Sequence, residues 1–333
     1  MAFYDGLFNA FGLREWCDAS AGSAKMTMAS LLAKTNPDAA DEGPLFPFPS
    51  MDELYKACPS FPQSREFTAG VEEAFLNAKD VLKTVLDPLT QPLSWLLEGA
   101  LFIFLAAPWW IVVPLILMFV WYVCRSVAVT TFVTVSFAFL AFIDHLDAAL
   151  QTLAIIAVCT GICIILGVPV GIAMAKSNRF QRSLLPLLDL LQTLPTFVYL
   201  IPLIFLFSVT EPKLYGIAII VYAIVPVIRL TDLGIRLVDQ DVVEAANAFG
   251  MSSRQKLFGI ELPLALPNIM AGVNQTIMMS LAMVVIASLV SAPGLGVLVL
   301  RGIRNLELGV GLIAGLGIVL LAVILDRVSK AAI

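Results

Sequence analysis

The sequence predicts an all-α integral membrane protein: a polytopic bundle of about seven transmembrane helices, with an amphipathic interfacial helix and a polar amino-terminal tail before it. Three observations predict this class. Of 333 residues, 59% are hydrophobic and 14% charged, whereas a soluble domain is nearer half apolar and a quarter charged. The apolar residues are gathered into long runs that begin near Leu93, and a run of ~18 or more is long enough to span a bilayer. The runs do not alternate apolar with polar residues as barrel strands do. Helices, which satisfy their own backbone in lipid, are the remaining solution.

Residues 1–75 form the polar tail. They carry much of the acidic excess (Glu15, Asp18, Asp41, Glu42, Asp52, Glu53, Glu72, Glu73) behind the net charge of −5, and a Pro-rich stretch from Pro44 to Pro62. Such composition argues against a packed core. Met1–Leu13 lacks a basic region followed by an apolar core, so no cleavable signal peptide is expected. Cys17 and Cys58 lie in this tail and can pair only outside the cytosol. Residues 76–107 are helical and amphipathic. Trp95, Leu96, Leu97, Leu101 and Phe102 are apolar, but Glu98 interrupts them, so the segment is expected to lie along the membrane surface. A true span is the competing reading.

Residues 108–333 hold seven candidate spans: 109–124, 127–143, 149–175, 184–207, 215–227, 269–290 and 308–325. Trp109 and Trp110 open the first, as interfacial tryptophans do. Cys159 and Cys163 lie one turn apart in an apolar run and read as small packing residues. His145, the single histidine, makes no zinc site alone, and there is no basic patch for nucleic acid. Orientation follows from Lys and Arg. Arg125, then Lys176, Arg179 and Arg182, then Arg236, Arg254 and Lys256, then Arg327 and Lys330 mark every second connection. Those connections are expected in the cytoplasm. Arg301 and Arg304 depart from the rule. Seven spans put the tail outside; an eighth at 93–107 would put it inside.

The most informative segment is the connection 239–268. It reads Glu244-Ala245-Ala246, three residues, Gly250, then Ile260-Glu261-Leu262-Pro263. Asp239 or Asp241 suits a helix start, the alanines favour the helix, Gly250 ends it or bends it, and Pro263 is expected to stop a second one. The spacing resembles the EAA loop of binding-protein-dependent ABC permeases. The run from Leu187-Leu188-Asp189 to Leu200, the run from Leu262 to Thr276, and Met283–Ser288 with Val299–Ile303 resemble the membrane subunit of glycine betaine/proline betaine importers. The likeness covers roughly residues 145–330 and implies a type I importer fold, multi-pass in a bacterial inner membrane. It also implies partners: two copies of an ABC ATPase, a periplasmic substrate-binding protein and a second copy of this chain in a homodimer. Carried over, Glu244, Ala245, Ala246 and Gly250 form the surface that docks on the ATPase, with Phe249 and Phe258 packing into it; an ordinary amphipathic loop helix is the alternative. The cargo implied is glycine betaine, proline betaine, choline or a related methylamine. No phosphate-cradling Gly-x-x-x-x-Gly-Lys-Ser/Thr occurs, so ATP and Mg belong to the partner. The chain itself needs no cofactor and assembles no nucleophile with a base, so it does not read as an enzyme.

Asp189 and Arg229 are ionisable residues near span ends. They are expected either to pair in an inner polar cluster or to reach the interface separately. Gln192, Thr193, Tyr199, Asn274, Gln275 and Ser280 are the polar candidates for the translocation pathway, since Pro195 and Pro202 interrupt their span and broken helices line cavities. Interhelical hydrogen bonding is the plainer role for them. Tyr199 also offers a ring face to a quaternary ammonium. Ser291–Gly296 reads as a turn, re-entrant or plain. Gly167 with Gly171, and Gly311 with Gly315, suit close helix packing. Asn274-Gln275-Thr276 is a sequon inside a span, and Ser253-x-x-Lys256 lacks its companion motifs. An ion-driven secondary transporter would need inverted repeats and a midplane ion site. Neither it nor a structural scaffold explains the 239–268 loop.

Overall fold

A computed structural model describes Tyr4, residues 8–13, Cys58 and residues 64–331. The chain divides into two compact units, Met1–Asp80 and Val81–Ile333. In the first, Phe8 and Cys58 are buried and Cys58 is disulfide-bonded. Cys17 and most of the predicted tail lie outside the described residues.

The described residues contain no strand. The helices in order are α1 (Ser64–Ala106), α2 (Trp109–Cys124), α3 (Val127–Phe142), α4 (Leu146–Lys176), α5 (Asn178–Thr193), α6 (Leu200–Leu206), α7 (Pro212–Arg236), α8 (Gln240–Ala248), α9 (Ser253–Lys256), α10 (Leu262–Ala287), α11 (Leu295–Asn305) and α12 (Leu308–Ala331). A 3₁₀ turn, Thr196–Tyr199, precedes α6, and a π turn, Leu257–Glu261, precedes α10.

The centre of the second unit is α4, α7 and α10. Helices α4 and α7 run parallel. Cys159 and Cys163 face the carbonyls of Gly216 and Ile220, Gly167 faces Val227, and Gly171 faces Thr231. Helix α10 is antiparallel to both. Gly234 of α7 meets Asn268 and Ala265, Gly272 meets Val227 and Leu230, and Thr160 of α4 donates to Ser280. Small residues let these backbones approach, which is how helices gain packing energy in lipid.

Parallel neighbours need a connection that returns the chain across the bilayer. Helices α5 and α6 supply it, in place of the single span 184–207 that Pro195 and Pro202 were expected to interrupt. The two helices meet at 106°. The cause is local. Leu194, before Pro195, is extended at ψ 134°, because a residue preceding proline is pushed out of the α region.

Other expectations also change. Residues 76–107, expected along the membrane surface, belong to one helix that is long and apolar enough to cross it, Thr68–Ala106. Glu98 is exposed while Leu93 and Leu97 are buried against Gly216 of α7, so one apolar stripe, not overall composition, seats this helix. The span predicted at 215–227 is the 25-residue α7, which continues past Pro226. Pro263 does not stop the chain. It sits in the first turn of α10, where a missing N–H costs nothing. The number seven is not confirmed. Among the described residues five helices meet the length and hydropathy of a span, and a bent sixth joins them. Helices α2 and α3 have 16 residues each, roughly 24 Å against a hydrocarbon core of about 30 Å.

Four hydroxyls inside the apolar helices are absorbed locally: Thr130, Thr134, Ser136 and Thr152 donate to carbonyls four residues back. Ser291–Gly296 forms a tight turn into α11. Gly294 has φ 121° and lies where a Cβ would come within 2.3 Å of the Thr152 hydroxyl, and that hydroxyl accepts from the Leu295 N–H at 3.0 Å.

A Cβ on Gly171 would fall 2.7 Å from the Ile228 carbonyl and 2.6 Å from Thr231 Cβ, whereas one on Gly161 meets nothing within 4 Å. Gly171→Val should therefore lower stability in detergent by about 1–3 kcal/mol, and Gly161→Ala should leave the melting temperature unchanged. Thermal unfolding followed by tryptophan fluorescence checks both.

Candidate functional site

The connection 239–261 folds as two short helices at the end of the bundle where α4 and α7 finish and α10 begins. Asp239 caps α8, its carboxylate accepting from the Asp241 N–H at 2.9 Å. Gly250, at φ 72°, takes the left-handed conformation that ends α8, and the Met251 N–H returns to the Ala246 carbonyl. Ser252 and Gln255 form a capping box at α9, which satisfies helix-end donors reciprocally. Lys256 donates to Asn247 at 2.9 Å, tying α9 to α8.

The helix has a seated face and a presented face. Val243 packs with Ile235, Val238, Ala265 and Ile269. Glu244, Ala245 and Gly250 are exposed, and Phe249 and Phe258 are 87% and 68% exposed. Exposed phenylalanines on a polar segment suit a partner surface. Ala246 corrects the expected docking set. It is 2% exposed, so its small side chain serves the seating of α8 rather than the outer surface.

Both ends of this connection are tied to one corner, between α4 and α5. Arg236, the last residue of α7, donates to the Met174 carbonyl at 2.7 Å, to Asn178 at 2.8 Å and to Asp232 at 2.8 Å. Asp232 also accepts from Gln181 at 2.7 Å. On the other side, Lys176 pairs with Glu261, whose side chain is 6% exposed. The sequence reading missed this cluster. Its signal was present: Asp232 and Glu261 are carboxylates flanking apolar runs, and such groups need partners.

Asp189 of α5 and Arg229 of α7 form an ion pair. The translocation candidates separate. Asn274 donates to Asp326 at 3.1 Å and accepts from Ser329 at 2.6 Å. Ser280 is bonded to Thr160. Both therefore act between helices. Gln192, Thr193 and Gln275 are exposed. Tyr199 is buried, its ring centroid 6.5 Å from that of Tyr222, and its hydroxyl has no partner. His145 Nδ1 lies 2.6 Å from the Ile143 carbonyl.

At the opposite end of α7, buried Lys213 bridges Asp87 of α1 at 2.7 Å and Glu211 at 2.9 Å, and lies 5.2 Å from the Phe207 ring centroid. Lys213→Met would remove the cation between two carboxylates, and Asp87→Asn would leave it one partner. The costlier change is the one that leaves a buried charge short of a partner; Lys213 is buried, whereas both carboxylates are partly exposed and can be hydrated. The asparagine variant should therefore melt lower than the methionine variant in detergent; equal melting would show the bridge to be weak.

Residues 167–332 match the family described as binding-protein-dependent transport system inner membrane component. The chain is 37% identical to the glycine betaine/proline betaine transport system permease protein ProW of Escherichia coli K12 over 94% of its length and 88% of that protein's. It is 42% identical to the glycine betaine transport system permease protein OpuAB of Bacillus subtilis 168, over 68% of this chain and 76% of that one. A solved inward-facing form of the MetNI methionine ABC transporter aligns with 55% of this chain and 93% of that chain at 18% identity and a TM-score of 0.47, a likeness too low to argue from.

Proposed function

The chain is a member of the binding-protein-dependent transport system inner membrane component family, and from that premise we propose that it is the translocation-pathway subunit of an ATP-driven ABC importer for a small quaternary-ammonium compatible solute. Glycine betaine, proline betaine, choline or a related methylamine is the cargo class. The relatives named for glycine betaine support it.

The observation that carries the reading is the loop 239–261. It presents Glu244, Ala245, Phe249 and Phe258 outward while Val243 and Ala246 hold it to the bundle. That is the form of a segment that receives force from a partner. The partner is an ABC ATPase in two copies, which binds ATP and Mg. Its closure shifts an equilibrium between inward- and outward-open arrangements of the spans. A second copy of this chain completes the pathway as a homodimer, and a periplasmic binding protein delivers the solute. The protein lies in the bacterial inner membrane, with the coupling loop and carboxyl terminus in the cytoplasm. The disulfide at Cys58 suits a periplasmic tail, which together with a cytoplasmic carboxyl terminus requires an odd number of crossings. The pathway runs beside the α5–α6 break, with Gln192, Thr193 and Gln275 the exposed polar groups for it and Asp189–Arg229 at its inner end.

The test is uptake of labelled glycine betaine into proteoliposomes holding this chain with its ATPase, with binding protein and ATP supplied. Wild type should require all three components. Glu244→Lys and Gly250→Asp should lower uptake by about tenfold or more, a typical coupling free energy between sites. Uptake of a different solute would keep the machine and change its cargo. Uptake indifferent to ATP and to both substitutions would favour an ion-driven transporter.

A further inference from the structure

Both legs of the coupling loop stand on the same five residues. The α7 leg reaches the Met174 carbonyl and Asn178 through Arg236. The α10 leg reaches Lys176 through Glu261. Met174–Asn178 is the corner where α4 ends and α5 begins. Helix α5 then runs to the break at Leu194–Pro195 and is tied to α7 on the way by Asp189–Arg229.

The two legs are not equivalent. Arg236 belongs to a spread network in which Asn178, Asp232, Gln181 and the Met174 carbonyl share the bonding. Loss of one bond leaves the others. The α10 leg has a single ion pair. Glu261 is the last residue of the π turn, a wide turn that frequently marks functional positions in helices. Its side chain is almost wholly buried, while that of Lys176 is 42% exposed. At the loop end of α10, Lys176–Glu261 is the polar link to α4, beside the apolar cluster in which Val168, Ile172 and Ala175 of α4 pack with Ala265 and Ile269 of α10. The carboxylate of Glu261 lies away from water, where an ionised group without its partner is costly, so the cation of Lys176 must stay with it.

We propose that the Lys176–Glu261 ion pair is the joint through which the coupling loop moves the α4–α5 corner and, through α5, the broken span. Lys176 and Glu261 are thus positioning residues for ATP-driven translocation. This rests on the importer reading above. Neither residue belongs to the surface presented to the ATPase, so their substitution separates docking from transmission. Coupling of this kind is carried by a polar contact with discrete arrangements.

The experiment uses the complete complex in proteoliposomes and measures ATP hydrolysed and glycine betaine taken up in the same preparation. Glu261→Gln keeps the shape and removes the charge, and Lys176 reaches solvent without it. Assembly with the ATPase, read by size exclusion, and hydrolysis should stay within about twofold of wild type, while solute moved per ATP falls about tenfold. The exchanged pair, Lys176→Glu with Glu261→Lys, should recover the ratio to within about threefold, because it restores the contact. An unchanged ratio in Glu261→Gln overturns the proposal. So does a loss of assembly that parallels the loss of uptake, which would assign the pair to folding alone, and so does an exchanged pair that recovers nothing. Wild-type uptake indifferent to ATP would sink the importer reading itself, and this inference with it.

Discussion

The close, parallel contact of α4 with α7 is the constraint on which the rest of the arrangement depends. Gly167 and Gly171 press against Val227, Ile228 and Thr231 with no room for a side chain. In lipid there is little hydrophobic gain from bringing two apolar helices together, so such fitted surfaces supply the association. Two parallel helices cannot be joined by a short loop. The chain must recross, and it does so through α5 and α6, which meet at 106° after the extended Leu194. Non-helical backbone within lipid is tolerated only against protein or a water-lined path.

Charge in the second unit follows the same economy. Lys176, Lys213, Asp232, Arg236, Glu261 and Asp326 all have partners from another helix or a neighbouring turn. An unpartnered charge at these depths is costly, and each pairing also fixes one helix against another. The pairs gather at the two ends of α7. One end is held to α1 by Lys213, the other to the α4–α5 corner by Arg236. Helix α8 is seated beside the Arg236 end through Val243.

The likeness to glycine betaine permeases and the geometry contribute different things. Identity of 37% across 94% of the chain carries the family. It says nothing of which side chain bears which role. The exposure of Phe249 and Phe258, the inward turn of Ala246, and the interhelical bonds of Asn274 and Ser280 sort the candidates into presented, seating and packing residues. Of six polar candidates for the pathway, two serve helix packing. In an apolar medium a hydroxyl or amide takes the first partner offered.

The sequence by itself determined the helical class, because long apolar runs admit no other satisfied backbone. It determined the two short helices after Asp239, because the cap at Asp239, the alanines and the left-handed Gly250 are local effects of a few residues. It also located the break after α5, since Pro195 acts on its own neighbour. For residues 76–107 the sequence left an interfacial helix and a span both open, because the worth of the stripe of Leu93 and Leu97 depends on Gly216, more than a hundred residues away. Pro263 opens α10 instead of ending a helix, because a proline does either according to what precedes it, and here the π turn precedes it. The pairing of Lys176 with Glu261 and of Lys213 with Asp87 was decided only by the tertiary structure. A charge in an apolar run announces that it needs a partner, but distance along the chain does not say which one, and only the packing of the helices brings the two together.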